Sequence, residues 1–228
     1  MSVVPTSFRS RIRSTIETPV ARIFGRLGLS PNALTLIGFG IAIVGAYFAA
    51  MQDWLTAGLV VAFGAVFDLF DGALARATGK VSKFGAFMDS TFDRAGEAVV
   101  FVGILVGLVA AEFKLGVTLA ASAMVASFMV SYVRARSESL GFSPGTGMAN
   151  VGLAPREVRM VILVVGLVAA GLLARSVFVD YPAGVTGPQS WHLALVGSLG
   201  LITILSTITT IQRILFTYRQ SKTQEVSK

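Results

Sequence analysis

No cysteine occurs in the 228 residues, so disulfides and thiolate metal sites are excluded. Histidine is almost as scarce, with His192 alone, and charged residues make up only 14% of the chain, against roughly 25% in an ordinary soluble domain. What fills the space is apolar: 54% of the residues are hydrophobic, and 24 are glycine. Such a chain belongs in a membrane, where small residues let helix backbones approach closely. Gly38 with Ala42 and Gly103 with Gly107 have the spacing for that use. The net charge of +7 then points to anionic lipid head groups and to orientation rather than to nucleic acid. No cleavable signal peptide is expected, because the first apolar run starts only near Ala33, behind an arginine-bearing stretch. No internal repeat stands out.

A membrane span needs about 20 apolar residues. The sequence predicts an all-α membrane protein with six spans, at 33–51, 55–76, 86–110, 116–137, 158–175 and 191–213. Lys and Arg crowd the segments on the N-terminal side: Arg9 to Arg26, Arg76 to Lys83, Arg134 to Arg159 and Arg213 onward. The other side offers only Lys114 and Arg175. By the positive-inside rule, both termini and the loops at 77–85 and 138–157 face the cytoplasm, at the plasma membrane. Trp54 and Trp191 fall at outer span ends, where interfacial aromatics belong, and His192 is expected beside them as an interfacial residue. In residues 5–27, Ile12, Ile16, Val20, Ile23, Phe24 and Leu27 recur at helical spacing among arginines. An amphipathic helix on the cytoplasmic surface is expected there. The division is thus a juxtamembrane segment at 1–32, a six-helix domain at 33–213 and a cytoplasmic tail at 214–228.

Within this apolar chain, "DLFDGALARATGKVSKFGAFMDSTFD" (68–93) places four aspartates between two spans. Asp68 and Asp71 are three apart near the end of the second span; Asp89 and Asp93 are four apart near the start of the third. Each pair shares a helix face, and the short loop makes the two helices antiparallel neighbours. Asp68 lies on the order of 12 Å below Arg76 along the helix, within the cytoplasmic leaflet. Solvated helix ends, or pairing with Arg76, Lys80, Lys83 and Arg94, would account for one or two such acids. Four together repel unless cations neutralise them, and intramembrane carboxylates are costly. Oxygen-only donors point to a hard cation, Mg²⁺ or Mn²⁺, and the cluster has room to bridge two. Mg²⁺ usually completes its shell with substrate phosphates, which implies a phosphate-bearing ligand.

The pattern D-x-x-D-G-x-x-A-R, eight residues, G-x-x-x-D-x-x-x-D is carried by Asp68, Asp71, Gly72, Ala75, Arg76, Gly85, Asp89 and Asp93. At every fixed position it resembles the signature of the CDP-alcohol phosphatidyltransferases. The resemblance implies a usually homodimeric six-helix membrane enzyme that transfers a phosphatidyl group from CDP-diacylglycerol to an alcohol and releases CMP. It further implies two divalent ions on the four aspartates, with Asp93 also the general base. Nucleotide contacts carry over to Pro31, Asn32, Ala33 and Leu34 of "SPNAL", to Asp68 and Asp71, and to Gly72, Arg76 and Ser82. Asn32 replaces an aspartate common in relatives, and "SPN" by itself is an ordinary helix start.

A second basic set, Arg134, Arg136, Arg156, Arg159 and Arg213, lies at cytoplasmic span ends, where arginines also gather for topology alone. Guanidiniums grip anions bidentately, so this set favours an acceptor with its own phosphate over choline or ethanolamine. "SYVRARSE", the Arg156/Arg159 pair and the Gln212–Arg213 pair resemble segments of the actinobacterial phosphatidylinositol phosphate synthases. That resemblance implies inositol 3-phosphate as acceptor, with glycerol 3-phosphate as the alternative. Arg134 stands where those enzymes have lysine, and Pro155 and Val158 where they have glutamates. A different class, a cation-coupled transporter, would spread its acids through the bilayer or show an inverted repeat; here the acids cluster at one end.

Overall fold

The computed structural model describes residues 29–142, 151–176 and 190–226. The amphipathic helix expected at 5–27 lies outside the described residues. Six helices follow one another: α1 (Pro31–Ala50), α2 (Trp54–Ala77), α3 (Lys83–Ala110), α4 (Lys114–Ser139), α5 (Arg156–Ser176) and α6 (Ser190–Val226). The described residues contain no β-strand.

Local chemistry sets the helix ends. Ser30 caps α1, its Oγ accepting the Ala33 N–H at 3.2 Å, and Pro31 fills the first helical position, where no N–H is needed. Asp53 caps α2 by accepting the Thr56 N–H at 3.3 Å. Gly79 takes φ +66 just past the end of α2, and the Lys80 N–H bonds back to the Ala75 carbonyl, a left-handed C-terminal stop that glycine adopts without strain. Ser82 then caps α3, accepting the Gly85 N–H at 2.9 Å. Glu157 in the first turn of α5 and Arg175 in its last complement the helix dipole.

Four helices, α1, α4, α5 and α6, are long and apolar enough to cross a membrane among the described residues; α2 is apolar only over Trp54–Asp68. The two helices that fall short are those carrying the aspartates. Large apolar side chains such as Ile43, Tyr47, Phe63, Val106, Val165 and Ile204 face outward. An exposed apolar surface of this extent suits lipid rather than water, and the protein is membrane-embedded. α6 is much longer than its apolar stretch. At about 1.5 Å per residue it extends about 55 Å, well beyond a hydrocarbon core of about 30 Å.

The described residues group into two compact units, 29–44 with 60–99 and 45–59 with 100–226. In the first, Leu34 and Leu74 are fully buried against Leu29, Phe67 and Phe70, joining the start of α1 to the end of α2. Phe39 meets Phe92 edge-on at 5.1 Å, joining α1 to α3. In the second, α6 packs on α4 and α5. The expected glycine contacts are present here: a Cβ on Gly103 would strike the Ala46 carbonyl oxygen, and one on Gly107 the Ala49 carbonyl oxygen and Trp54. Trp54 and Trp191 lie 5.5 Å apart, and His192 stacks on Phe113 at 4.0 Å, so the starts of α2 and α6 and the α3–α4 turn share one end. At the other end of α4 and α6, the Ser137 and Thr217 hydroxyls bond at 2.9 Å.

Candidate active site

The first unit brings the end of α2, the start of α3 and the start of α1 together. Asp68 reaches α1: a Cβ on Gly38 would lie 2.7 Å from Asp68 Oδ1, so the missing side chain at 38 makes room for the carboxylate. One turn on, the Arg76 guanidinium folds back over Gly72, where a Cβ would sit 3.2 Å from Nη1. On α3, Asp89 and Asp93 are half-buried, and Arg94 Nη1 approaches Asp93 Oδ2 at 3.5 Å while donating to the Ser90 carbonyl at 3.1 Å.

Asn32, Ser82 and Gly85 meet. A Cβ on Gly85 would lie 3.1 Å from Ser82 Oγ and 3.5 Å from Asn32 Oδ1, so glycine here opens a small polar recess between the first turns of α1 and α3. Three residues of the expected nucleotide set therefore occupy distinct places. Asn32 and Ser82 border the recess, whereas Leu34 points into the apolar core. The "SPNAL" stretch is also the helix start that its residues suggest.

Among the described residues no three acidic or histidine side chains are gathered closely enough to hold an ion. Asp71, whose side chain is not among those described, stands one turn from Asp68 in α2. The donor chemistry, carboxylate oxygens from two helices, fits a hard divalent cation. Glu97, one turn beyond Asp93 on α3, is only 3% exposed. It continues the row of Asp89 and Asp93, and the fixed-position pattern stops one turn short of it.

The arginine set lies in the second unit and divides by burial. Arg134 and Arg136 are on α4, Arg134 paired with Glu138 at 3.0 Å on the surface. Arg156 opens α5 and is half-buried. Arg159 and Arg213 are 1% and 3% exposed. Arg159 Nη1 donates to the Ala154 carbonyl at 3.0 Å; Arg213 donates from Nε to Val151 O at 3.0 Å and from Nη1 to Val130 O at 2.7 Å. The two expected phosphate grippers at 159 and 213 thus spend part of their donor capacity on the backbone. His192 sits in an aromatic cluster with Trp191 and Phe113.

The sequence profile of the CDP-alcohol phosphatidyltransferases matches residues 28–219. This chain belongs to that family. Among its relatives is the archaetidylinositol phosphate synthase of Pyrococcus horikoshii, 38% identical over 208 residues, which cover 90% of this chain and 94% of that protein. The phosphatidylinositol phosphate synthase of Mycobacterium tuberculosis is 33% identical over 216 residues, 94% of this chain and 90% of the relative. A crystal structure of the M. tuberculosis enzyme with CDP-DAG bound matches this fold with a TM-score of 0.72 at 31% identity, covering 89% of this chain and 94% of that one. A second, in complex with manganese and citrate, matches with a TM-score of 0.73, covering 89% of each chain. The first unit of this chain carries Asp68, Asp89 and Asp93 and the Asn32–Ser82–Gly85 recess on neighbouring helices.

Proposed function

We propose that this phosphatidyltransferase joins CDP-diacylglycerol to inositol 3-phosphate, yielding phosphatidylinositol phosphate and CMP. The observation that carries the acceptor is shared chemistry among relatives. The archaeal and mycobacterial enzymes are named for different lipid tails but for the same inositol phosphate head. A five-arginine set on the cytoplasmic helix ends suits an acceptor that brings its own phosphate.

In this reading Asp68, Asp71, Asp89 and Asp93 hold two divalent ions, Mg²⁺ or Mn²⁺, and a manganese-bound relative supports that donor type. The ions would neutralise the diphosphate and the CMP that departs. Asn32, Ser82 and the backbone at Pro31–Leu34, with Gly72 and Arg76, receive the cytidine phosphate. Asp93 takes the proton of the attacking hydroxyl. The hydroxyl oxygen bonds to the lipid-bearing phosphorus, the bridging P–O bond breaks, and CMP leaves with its electron pair. Arg134, Arg136, Arg156, Arg159 and Arg213 form the set from which the acceptor phosphate is held. The reading includes six spans, with α2 and α3 tolerating their acids because these line a site; a plasma-membrane homodimer; and cytoplasmic termini, which the lysine and arginine asymmetry supports.

The experiment is CMP release by purified protein given CDP-diacylglycerol, Mg²⁺ and a panel of acceptors. Turnover is expected with inositol 3-phosphate and not with choline or inositol. Preference for glycerol 3-phosphate would replace the acceptor, and cation transport without CMP release would remove the enzyme reading. Asp93→Asn should abolish turnover while leaving nucleotide binding; full turnover in that variant would remove Asp93 as the base.

A further inference from the structure

Between the 143–150 segment and α5 runs a four-residue strap, Val151–Ala154, without regular secondary structure. Four of its backbone polar groups are nonetheless met by side chains. Thr209 Oγ1, on fully buried Thr209 of α6, accepts both the Leu153 N–H at 3.0 Å and the Ala154 N–H at 2.9 Å. Arg213, one turn further along α6, takes the Val151 carbonyl, and Arg159 takes the Ala154 carbonyl. Gly152 sits at φ +118, and a Cβ there would strike Thr209 Cγ2, so the strap is pressed onto the threonine at the one residue that has no side chain. Only Pro155 separates this anchored strap from Arg156. Its ring fixes φ, and its carbonyl already accepts the Val158 and Arg159 N–H groups of α5. No slack remains between Thr209 and the first turn of α5.

We propose that Thr209 is a positioning residue for the acceptor. Its hydroxyl, closed against Gly152, fixes the Val151–Ala154 strap and through it the places of Arg156 and Arg159, and so sets affinity for the acceptor's phosphate. This rests on the acceptor reading above. Arg213 then serves the same clamp, tying the strap and α4 at Val130 to α6. A threonine within an apolar helix carries no signal of this in the sequence. It becomes legible only once residues more than 50 positions away are seen to donate to it.

The test is steady-state CMP release with each substrate varied in turn. Thr209→Val keeps the shape, removes the acceptor oxygen and leaves two backbone donors unmet. It should raise KM for inositol 3-phosphate by roughly tenfold while KM for CDP-diacylglycerol stays within about twofold. Thr209→Ser keeps the oxygen and should restore the acceptor KM. Because the hydroxyl acts in part through Arg156, adding Thr209→Val to Arg156→Ala should raise the acceptor KM by clearly less than the product of the two single effects. Equal rises in both KM values, no rise in either, or effects that multiply in the double variant would overturn the proposal. If Thr209→Val does not yield nucleotide-binding protein, Gly152→Ala replaces it: its rise in acceptor KM should be partly repaired by Thr209→Ser, which removes the methyl it strikes. No repair overturns the proposal equally. Wild-type protein that uses no phosphorylated acceptor would instead sink the acceptor reading. Active wild-type protein whose variants fail to split the two KM values sinks the positioning role alone.

Discussion

A side chain that is missing can place a carboxylate as firmly as one that is present. Gly38 fits a packing role in the sequence, as the partner of Ala42, yet its absent Cβ is the space into which Asp68 Oδ1 reaches, 2.7 Å from where that atom would stand. Gly38→Ala should therefore push the carboxylate off its place without altering its charge. Supporting changes beside a metal ligand commonly cost 10-fold or more in metal affinity, so the Mg²⁺ concentration for half-maximal CMP release should rise by roughly tenfold, with turnover recovered at saturating Mg²⁺. An unchanged Mg²⁺ titration would mean that Asp68 binds no ion. The arginines teach the same lesson from the other side. Charge and position single out Arg159 and Arg213, but whether a guanidinium faces a ligand or a backbone carbonyl depends on which carbonyls the loop brings within reach.

At the scale of the helices, most of the fold was legible, because apolar length and turn residues report directly on where a chain can cross a bilayer. The bounds expected at 33–51, 55–76 and 86–110 match those of the helices α1, α2 and α3 to within a few residues, and of these three α1 is long and apolar enough to cross a membrane among the described residues. The expected end at 213 falls short, since hydropathy marks where a helix leaves lipid and not where it stops: α6 runs on to Val226, through a stretch with no glycine or proline to end it. Caps were less visible. Asp53 stands in "MQDW" as a plain turn residue, but it caps α2 and pairs with Arg175 at 3.5 Å, at the end of α5. The Thr56 hydroxyl, opposed by partial burial and aided by the Thr56 N–H and Arg175, holds its carboxyl below the usual carboxylate range. A group depressed in the folded state stabilises above its unfolded value, about 3.9, and that contribution is lost as pH falls through the folded value. The thermal midpoint in detergent should thus fall more steeply below about pH 4 in wild type than in Asp53→Asn, where asparagine still caps the helix but carries no charge. Parallel pH curves would show that the charge contributes nothing.

The whole chain carries an asymmetry that none of its helices shows singly. Lys and Arg gather on segments joined by an even number of spans, and only Lys114 and Arg175 fall on the other side. Six crossings are required for this to be an orientation signal, yet α2 and α3 are the two helices whose apolar stretches are cut short by acids and bases. If they fail to cross, the 78–82 loop and the α3–α4 turn lie on one side and the asymmetry loses its meaning. The absence of cysteine makes the question direct, because one introduced thiol is then the only thiol in the chain. Lys80, in the loop after α2, and Lys114, which opens α4, are both exposed, so either accepts a cysteine without disturbing the core. A membrane-impermeant maleimide should label Lys114→Cys in intact cells and Lys80→Cys only after the membrane is broken. Labelling of both from outside, or of neither, would place α3 on one side of the bilayer. The aspartates would then no longer lie within the leaflet that delivers the lipid donor.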